Sequence, residues 1–523
     1  MRLYLRFGLL LGVIAGVGCS KTPPPLHLSS PLLENTLTNP WYQQAQRQLL
    51  DKTTYAQAHG KAKNIILFVG DGMGVSTITA ARILDGQQKG MPGEENNLSF
   101  DRFPFSGLVK TYNVDAQTPD SAGTMTAIVS GVKTNIGLLG VDENTRRGDC
   151  SSATGNALVS LLELAEIAGK TTGLVSTARV THATPAATYA KSADRNWEDN
   201  STLPQQAISA GCEDISSQLI GFEKNLEARF ANVDVDGIDV VMGGGRRHFL
   251  PAGIDGGQRT DGRNLLAEWQ QQYPAARYLD SKAALNALDL AATEKLFALF
   301  SGSHMQYELE RRDEPDNEPS LREMTEAALA LLSKNEQGFF LMVEAGRIDH
   351  GHHAGNASKA LHDTIALSEA VALAVEQTSP EDTLIVVTAD HSHVFTIAGY
   401  PRRGNPILGK VVSVGSNTPS TAADGLPYTT LAYANGPGSE YFSAQEQTAA
   451  GSRRDLHGVD TQDRGFQQDA LVPLSSETHG GEDVAVYAIG PGAALLSGTN
   501  EQNFLFHVMA YVSGLLPQPA YVE

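Results

Sequence analysis

The sequence predicts an α/β fold, a three-layer sandwich with a central, mostly parallel sheet flanked by helices, and three observations support this. Short, nearly continuous apolar runs bounded by Gly or Asp recur from about residue 62, as suits strands buried on both faces. Amphipathic segments separate several of these runs, an alternation that builds parallel sheets. Asp, Glu or His follows four of the runs, at the strand ends where open α/β sheets collect ligands. One carboxylate after a strand is ordinarily a cap or turn former; four ends supplying Asp, Glu and His together fit a shared metal site better.

At the N-terminus, Arg2 and Arg6 flank the apolar stretch FGLLLGVIAGVG, which ends at Cys19. That layout over residues 1–19 is a secretory signal peptide, too short for a membrane span. Gly18-Cys19-Ser20 resembles a bacterial lipobox, with Gly16 where leucine is usual, so Cys19 is a candidate for lipidation and a membrane tether. Plain cleavage is the alternative. The proline run in KTPPPLHLSS suits an extended tether, giving a tether and arm over 20–50 and a body over 51–523. The expected product is exported, to the periplasm, a membrane anchor or the exterior. Cys150 and Cys212 then form an even pair in an oxidising compartment, read as a disulfide, with two separate buried thiols as the alternative. The chain has 523 residues, with 59 acidic against 39 basic and a net charge of -20. This argues against a nucleic-acid partner, whose backbone demands clustered cations. An anionic substrate would have to be captured by local cations, against the overall field.

The strand candidates are NIILFVG (64–70), TTGLVST (171–177), IDVVMGG (238–244), GFFLMVEAG (338–346), TLIVVTA (383–389) and VAVYAIG (484–490). The helical segments include 157–169 and 357–377. Two regions break the alternation. Residues 301–320 are charged and irregular and read as surface. Residues 399–476, rich in Gly, Ser, Pro and Asn, read as an inserted subdomain, because YTTLAYANG within them still resembles a strand.

The groups at the strand ends are Asp71; His182 and Thr184; Glu344 and Asp349; and Asp390, His391 and His393. The glycines of VGDGMG (69–74) let the backbone turn sharply so that Asp71 projects; as a phosphate loop the stretch lacks the required spacing and lysine. In TPDSAGTMTAIVSG (118–131), Ser121 starts a helix without a G-x-S-x-G elbow. Taken alone, Ser121 or Asp120 is an N-cap; a metal able to ionise the hydroxyl would promote Ser121 to nucleophile. In RIDHGHH (347–353), a helical turn puts Asp349 and His353 on one face. His350 points about 100° away, and His352 misses that face too. Asp, His and one distant His make a three-ligand zinc pattern with an open fourth position, and His479 in ETHGGED can supply the third ligand.

Six segments in this order, NIILFVGDGMG, PDSAGTMTA, RVTHATPAATYA, FFLMVEAGRIDHGHH, VTADHSHVF and ETHGGEDVAVYA, resemble alkaline phosphatase, more closely its animal-type members than the enteric bacterial form. The resemblance spans residue 62 to the end and makes 399–476 a crown-like insertion. It implies hydrolysis of phosphate monoesters through a phosphoserine at a site with two zinc ions and one magnesium ion. Asp349, His353 and His479 would hold one zinc; Asp71, Asp390 and His391 would hold the other beside Ser121. Asp71 would bridge to magnesium bound by Thr184 and Glu344, an oxygen set suited to a hard cation. Arg195, in SADRNW, aligns with the phosphate clamp. His182 and His350 replace an Asp and a Lys of the enteric form and would lie near bound phosphate or its waters, with a role as mere polar neighbours as the alternative. His352 is left as structural. A homodimer with the crown at its interface is also implied. Ser301 stands where animal-type members carry a calcium-site glutamate, so calcium is not expected. A phosphodiesterase or sulfatase of the same superfamily, or a non-catalytic binder of zinc or phosphate, are the alternative readings.

Overall fold

The apolar runs become the middle of one ten-stranded sheet in the computed structural model, which describes residues 31–55, 61–314, 316–439 and 453–516. In chain order the strands are β1 (Asn64–Gly70), β2 (Phe105–Lys110), β3 (Thr171–Arg179), β4 (Val240–Gly244) and β5 (Arg277–Leu279). Next come β6 (Leu296–Ser301), β7 (Phe339–Ala345), β8 (Thr383–Ala389), β9 (Ser392–His393) and β10 (Phe395–Ile397). The last are β11 (Leu431–Gly436), β12 (Ala470–Pro473), β13 (His479–Gly480), β14 (Val484–Ile489) and β15 (Gly498–Glu501).

The main sheet runs β15-β2-β14-β8-β1-β7-β3-β4-β6-β5. Only β14 opposes its neighbours, pairing antiparallel with β8 and β2. The central strands β1, β7 and β8 are buried on both faces, so their side chains need no polar alternation. In register, Gly70 lies beside Ala345 and Ala389, which brings the chain beyond three adjacent strands out at one edge.

The expected bounds hold at β1 and β8 and for the helix Ala357–Gln377. Within the main sheet, four strands were not anticipated: β2, β5, β6 and β15. β5 and β15 are short and partly exposed, and β2 is an interior strand with one exposed face, so these three show no continuous apolar run; β6, LFALFS, does show one. The surface reading of 301–320 is corrected in part: residues 312–314, 316 and 317 are exposed, but Met305, Tyr307, Glu308 and Glu318 are buried. Their charges pair locally, Glu308 with Arg311 at 2.6 Å and Arg312 at 2.8 Å, so a charged stretch folds inward. The boundary at residue 51 falls inside the helix Pro40–Tyr55. Tyr42, Ala45 and Leu49, spaced along one face, bury against the body, and the Tyr42 ring sits 6.2 Å from Phe506. Burying a side chain the size of Leu49 contributes about 1.5–3 kcal/mol, enough to dock this helix rather than leave it as a free arm.

Within 399–476, β11 and β12 pair with each other, and β11 also pairs with β10, just before the insertion, in a separate three-stranded sheet. The pairing of β9 with β13 sets His479 beside His393. Cys150 and Cys212 are joined in a disulfide across 62 residues, their Cα atoms 6.0 Å apart. The signal segment 1–19 with Cys19, and the tether to residue 30, lie outside the described residues. Among the described residues no helix is long and apolar enough to cross a membrane.

Candidate active site

β1 delivers Asp71 through a turn that only glycine can make. Gly72 has φ +67°, and a Cβ there would fall 2.3 Å from His393 Nε2. Asp71 is fully buried, with Oδ1 3.4 Å from Ser121 Oγ and 3.3 Å from His391 Nε2. Ser121 opens the helix Ser121–Ser130, and Asp120 caps it by accepting the Gly123 N–H. Asp120 is thus the cap, and Ser121 points into the cluster, its Oγ 3.1 Å from His391 Nε2.

Three pockets of ligand atoms converge here. In the first, the helix Arg347–His353 puts Asp349 Oδ1 3.2 Å from His353 Nε2, as the four-residue spacing predicts. His479 Nε2 lies 3.4 Å from Asp349 Oδ1 and 3.1 Å from His353 Nε2. His353 Nδ1 donates to the Glu477 carbonyl at 2.6 Å, and His479 Nδ1 to the Pro119 carbonyl at 2.7 Å. A carbonyl only accepts, so in the neutral rings both Nε2 atoms carry lone pairs, and these face each other and a carboxylate.

The second pocket joins Asp71, Asp390 and His391. His391 Nδ1 donates to the Ser392 carbonyl at 3.3 Å, leaving Nε2 to face Asp71, Asp390 and Ser121. Burial, and then His479 nearby, holds the His391 pKa well below its usual value. Burial and neighbouring carboxylates, Asp390 foremost, push Asp71 well above the usual range.

In the third, Asp71 Oδ2, Thr184 Oγ1 and Glu344 Oε1 are buried without a hydrogen bond of acceptable geometry. Asp71, His182 and Glu344 each place a ligand atom within 4.8 Å of the others. Burial pushes the Glu344 carboxyl up to about 8. Orphaned oxygens this deep are costly unless a cation occupies the space between them.

Arg195 reaches the same cavity from the loop after the short helix Ala183–Ala186. Its Nη1 donates to Asp120 Oδ2 at 2.9 Å, while Nη2 lies 3.4 Å from His182 Nε2. Asp120 also accepts from Gly137 N–H and Asn113, so the guanidinium plane is fixed. His350 stays out of the first pocket, as its helical position requires. Its ring centre is 5.5 Å from His182, and its Nδ1 is buried without a partner. His352 bridges Thr77 Oγ1 and the Tyr433 hydroxyl at 2.9 and 2.8 Å, a structural role.

Three residues close to the site carried no role in the sequence reading. His304, from the stretch read as surface, has its ring centre 4.1 Å from that of His350 at a tilt of 55°, and accepts the Arg179 backbone N–H through Nδ1. Arg179 is itself held by Glu198 at 2.7 and 2.6 Å. His393, noted only as standing at a strand end, has Nε2 2.9 Å from Asp349 Oδ1 and Nδ1 2.5 Å from Glu477 Oε2. Burial would lower its pKa, but the two carboxylates outweigh that and raise it to about 10. With both ring nitrogens facing carboxylates, His393 is a poor metal ligand despite its proximity to Asp349, His391 and His479.

Lone pairs facing one another around a serine oxygen are reconciled by cations, which makes the class a metal-binding protein whose clusters of His and Asp surround a serine hydroxyl. The family model described as Alkaline phosphatase matches residues 62–515. The tissue-nonspecific alkaline phosphatase of Gallus gallus is 45% identical over 495 residues, covering 92% of this chain and 90% of that protein. The Rattus norvegicus isozyme is 46% identical over 487 residues, covering 90% and 88%. The crystal structure of Thermus thermophilus alkaline phosphatase superposes with a TM-score of 0.63 at 25% identity, over 88% of this chain and 93% of that one. The chain belongs to the alkaline phosphatase family, on its animal-type side, and is a phosphomonoesterase.

Proposed function

We propose that this phosphomonoesterase works through a phosphoserine on Ser121 at a centre holding two zinc ions and one magnesium ion. The observation behind the proposal is the crowd of inward-facing lone pairs. Asp349, His353 and His479 would hold one zinc, and Asp71, Asp390 and His391 the other, both sets being nitrogen and carboxylate donors suited to zinc. Thr184, Glu344 and the free oxygen of Asp71 would hold magnesium. Bound there, the zincs supply Lewis-acid stabilisation of the attacking and leaving oxygens.

The chain's own residues do the rest. Arg195 holds two phosphoryl oxygens, its plane already set by Asp120. Ser121 Oγ attacks phosphorus, the Oγ–P bond forms, and the ester P–O bond breaks to release the alcohol. Water then cleaves the Oγ–P bond, giving phosphate and restoring the hydroxyl. His182, beside Arg195, and His350, beside His182, would face bound phosphate or its waters. A site that grips phosphoryl oxygens and leaves the alcohol side open favours monoesters over diesters and sulfates. Turnover of p-nitrophenyl phosphate should exceed that of its bis-ester and of p-nitrophenyl sulfate; a faster diester would overturn the reading.

Export, a tether through lipidated Cys19 and a homodimer belong to the same proposal. Among the described residues of the insertion, Tyr400, Val414 and Leu471 are 89%, 82% and 79% exposed, which suits a surface another copy covers. The charge of -20 argues against nucleic acid as a partner, and a small phosphate ester would be captured by local cations such as Arg195 against that field.

A further inference from the structure

Glu477 takes no part in the chemistry above, yet it touches the first pocket twice. Its backbone carbonyl accepts from His353 Nδ1 at 2.6 Å, which turns the Nε2 lone pair of that ring toward Asp349 and His479. Its buried carboxylate accepts from His393 Nδ1 at 2.5 Å through Oε2, and from the Val394 N–H at 2.8 Å through Oε1. His393 Nε2 in turn reaches Asp349 Oδ1 at 2.9 Å. The ring has no room to turn, because the Gly72 backbone packs against it so closely that even a Cβ would clash. Glu477 also stands two residues before His479, whose strand pairs with the one carrying His393.

We propose that Glu477 is the positioning residue of the Asp349–His353–His479 pocket, aiming His353 through its carbonyl and Asp349 through His393. The inference rests on the reading that those three side chains hold a zinc. An unsupported carboxylate samples several rotamers, and each misdirected one removes a ligand. A hydrogen bond from a fixed ring selects one orientation before the ion arrives. Partners of this kind typically change metal affinity by about 10–100-fold.

The test is zinc affinity of the full chain, by competition with a chromophoric chelator at fixed magnesium, for the wild type, Glu477→Ala, His393→Ala and the double variant. Each single variant should release one of the two zincs about 10–100-fold more readily. The double variant should be no weaker than His393→Ala alone, since the carboxylate acts through the ring. The other zinc should keep its wild-type affinity, which also reports an intact fold. Glu477→Gln, which keeps the volume and the Val394 hydrogen bond, replaces the alanine variant if that one does not fold and should loosen the same zinc. Saturating zinc should restore kcat in the single variants. Single-variant affinities within twofold of wild type, or effects that multiply in the double variant, would overturn the proposal. His479→Ala retaining both zincs would instead overturn the zinc reading beneath it.

Discussion

Two clusters of buried acids, one closed and one open, show how the fold separates stability from chemistry. Glu163 is wholly buried, but Lys191 meets one oxygen at 3.0 Å, Arg229 meets the other, and the Ser160 N–H closes the capping box. Although burial opposes ionisation, those cations hold the Glu163 carboxyl below its usual range. Asp71, Glu344 and Asp390 are buried as deeply, yet Arg195, whose charge acts on Asp71, is itself bound to Asp120. Their carboxyls are pushed up, and two of their oxygens lack partners. Glu163 is neutralised by cations of the protein itself, whereas on the proposed function Asp71, Glu344 and Asp390 are left for a metal to neutralise.

The largest effect expected is at the open cluster. Ser121→Ala should lower kcat by about 10⁴-fold or more while the melting temperature stays near wild type. Steady-state turnover of p-nitrophenyl phosphate alongside thermal unfolding checks both halves, and retained turnover would remove Ser121 from the mechanism. The closed cluster should respond in the opposite way. Glu163→Gln leaves Lys191 and Arg229 facing a neutral amide, and should destabilise by about 3–5 kcal/mol. Denaturant unfolding measures that, and zinc content of the folded fraction should not change.

A smaller effect concerns pH. Burial, followed by Asp239, raises Glu166 to about 8 from an ordinary value of 4.5. Between those values the folded chain keeps a proton that the unfolded chain releases. The penalty is absent below about 4.5, grows as pH rises, and is complete above about 8. Stability should fall by up to a few kcal/mol across this window, and Glu166→Gln should flatten that part of the profile. The smallest effect sharpens the contrast within the open cluster. His182 stands beside the third pocket as an imidazole, so His182→Asp should tighten magnesium about tenfold by supplying a further oxygen. Unchanged affinity in a magnesium titration of the zinc-loaded protein would show that His182 does not weaken that site.

Much of this was legible in the sequence, for identifiable reasons. β1, β8 and the helix Ala357–Gln377 are long, apolar or strongly periodic, so pattern alone bounds them. Asp349 and His353 pair because the helical period is local geometry. His304 was hidden because its charged neighbours pair with one another and turn inward, which composition does not reveal. Glu477 and His393 were hidden because their contact spans 84 residues and depends on a two-residue strand pairing. β5 and β15 are too short to show a period.

The most direct measurement is the melting temperature of the metal-stripped protein, comparing wild type with Asp71→Asn. If Asp71 is a buried acid awaiting cations, the amide relieves repulsion from Asp390 and Glu344, and the stripped variant melts higher than the stripped wild type. Adding zinc and magnesium should then raise the wild type, by about 4 kcal/mol per site at a thousandfold excess over Kd, and raise the variant far less. A stripped variant that melts lower, with metals stabilising both proteins equally, would mean that Asp71 is satisfied within the fold and would contradict the account.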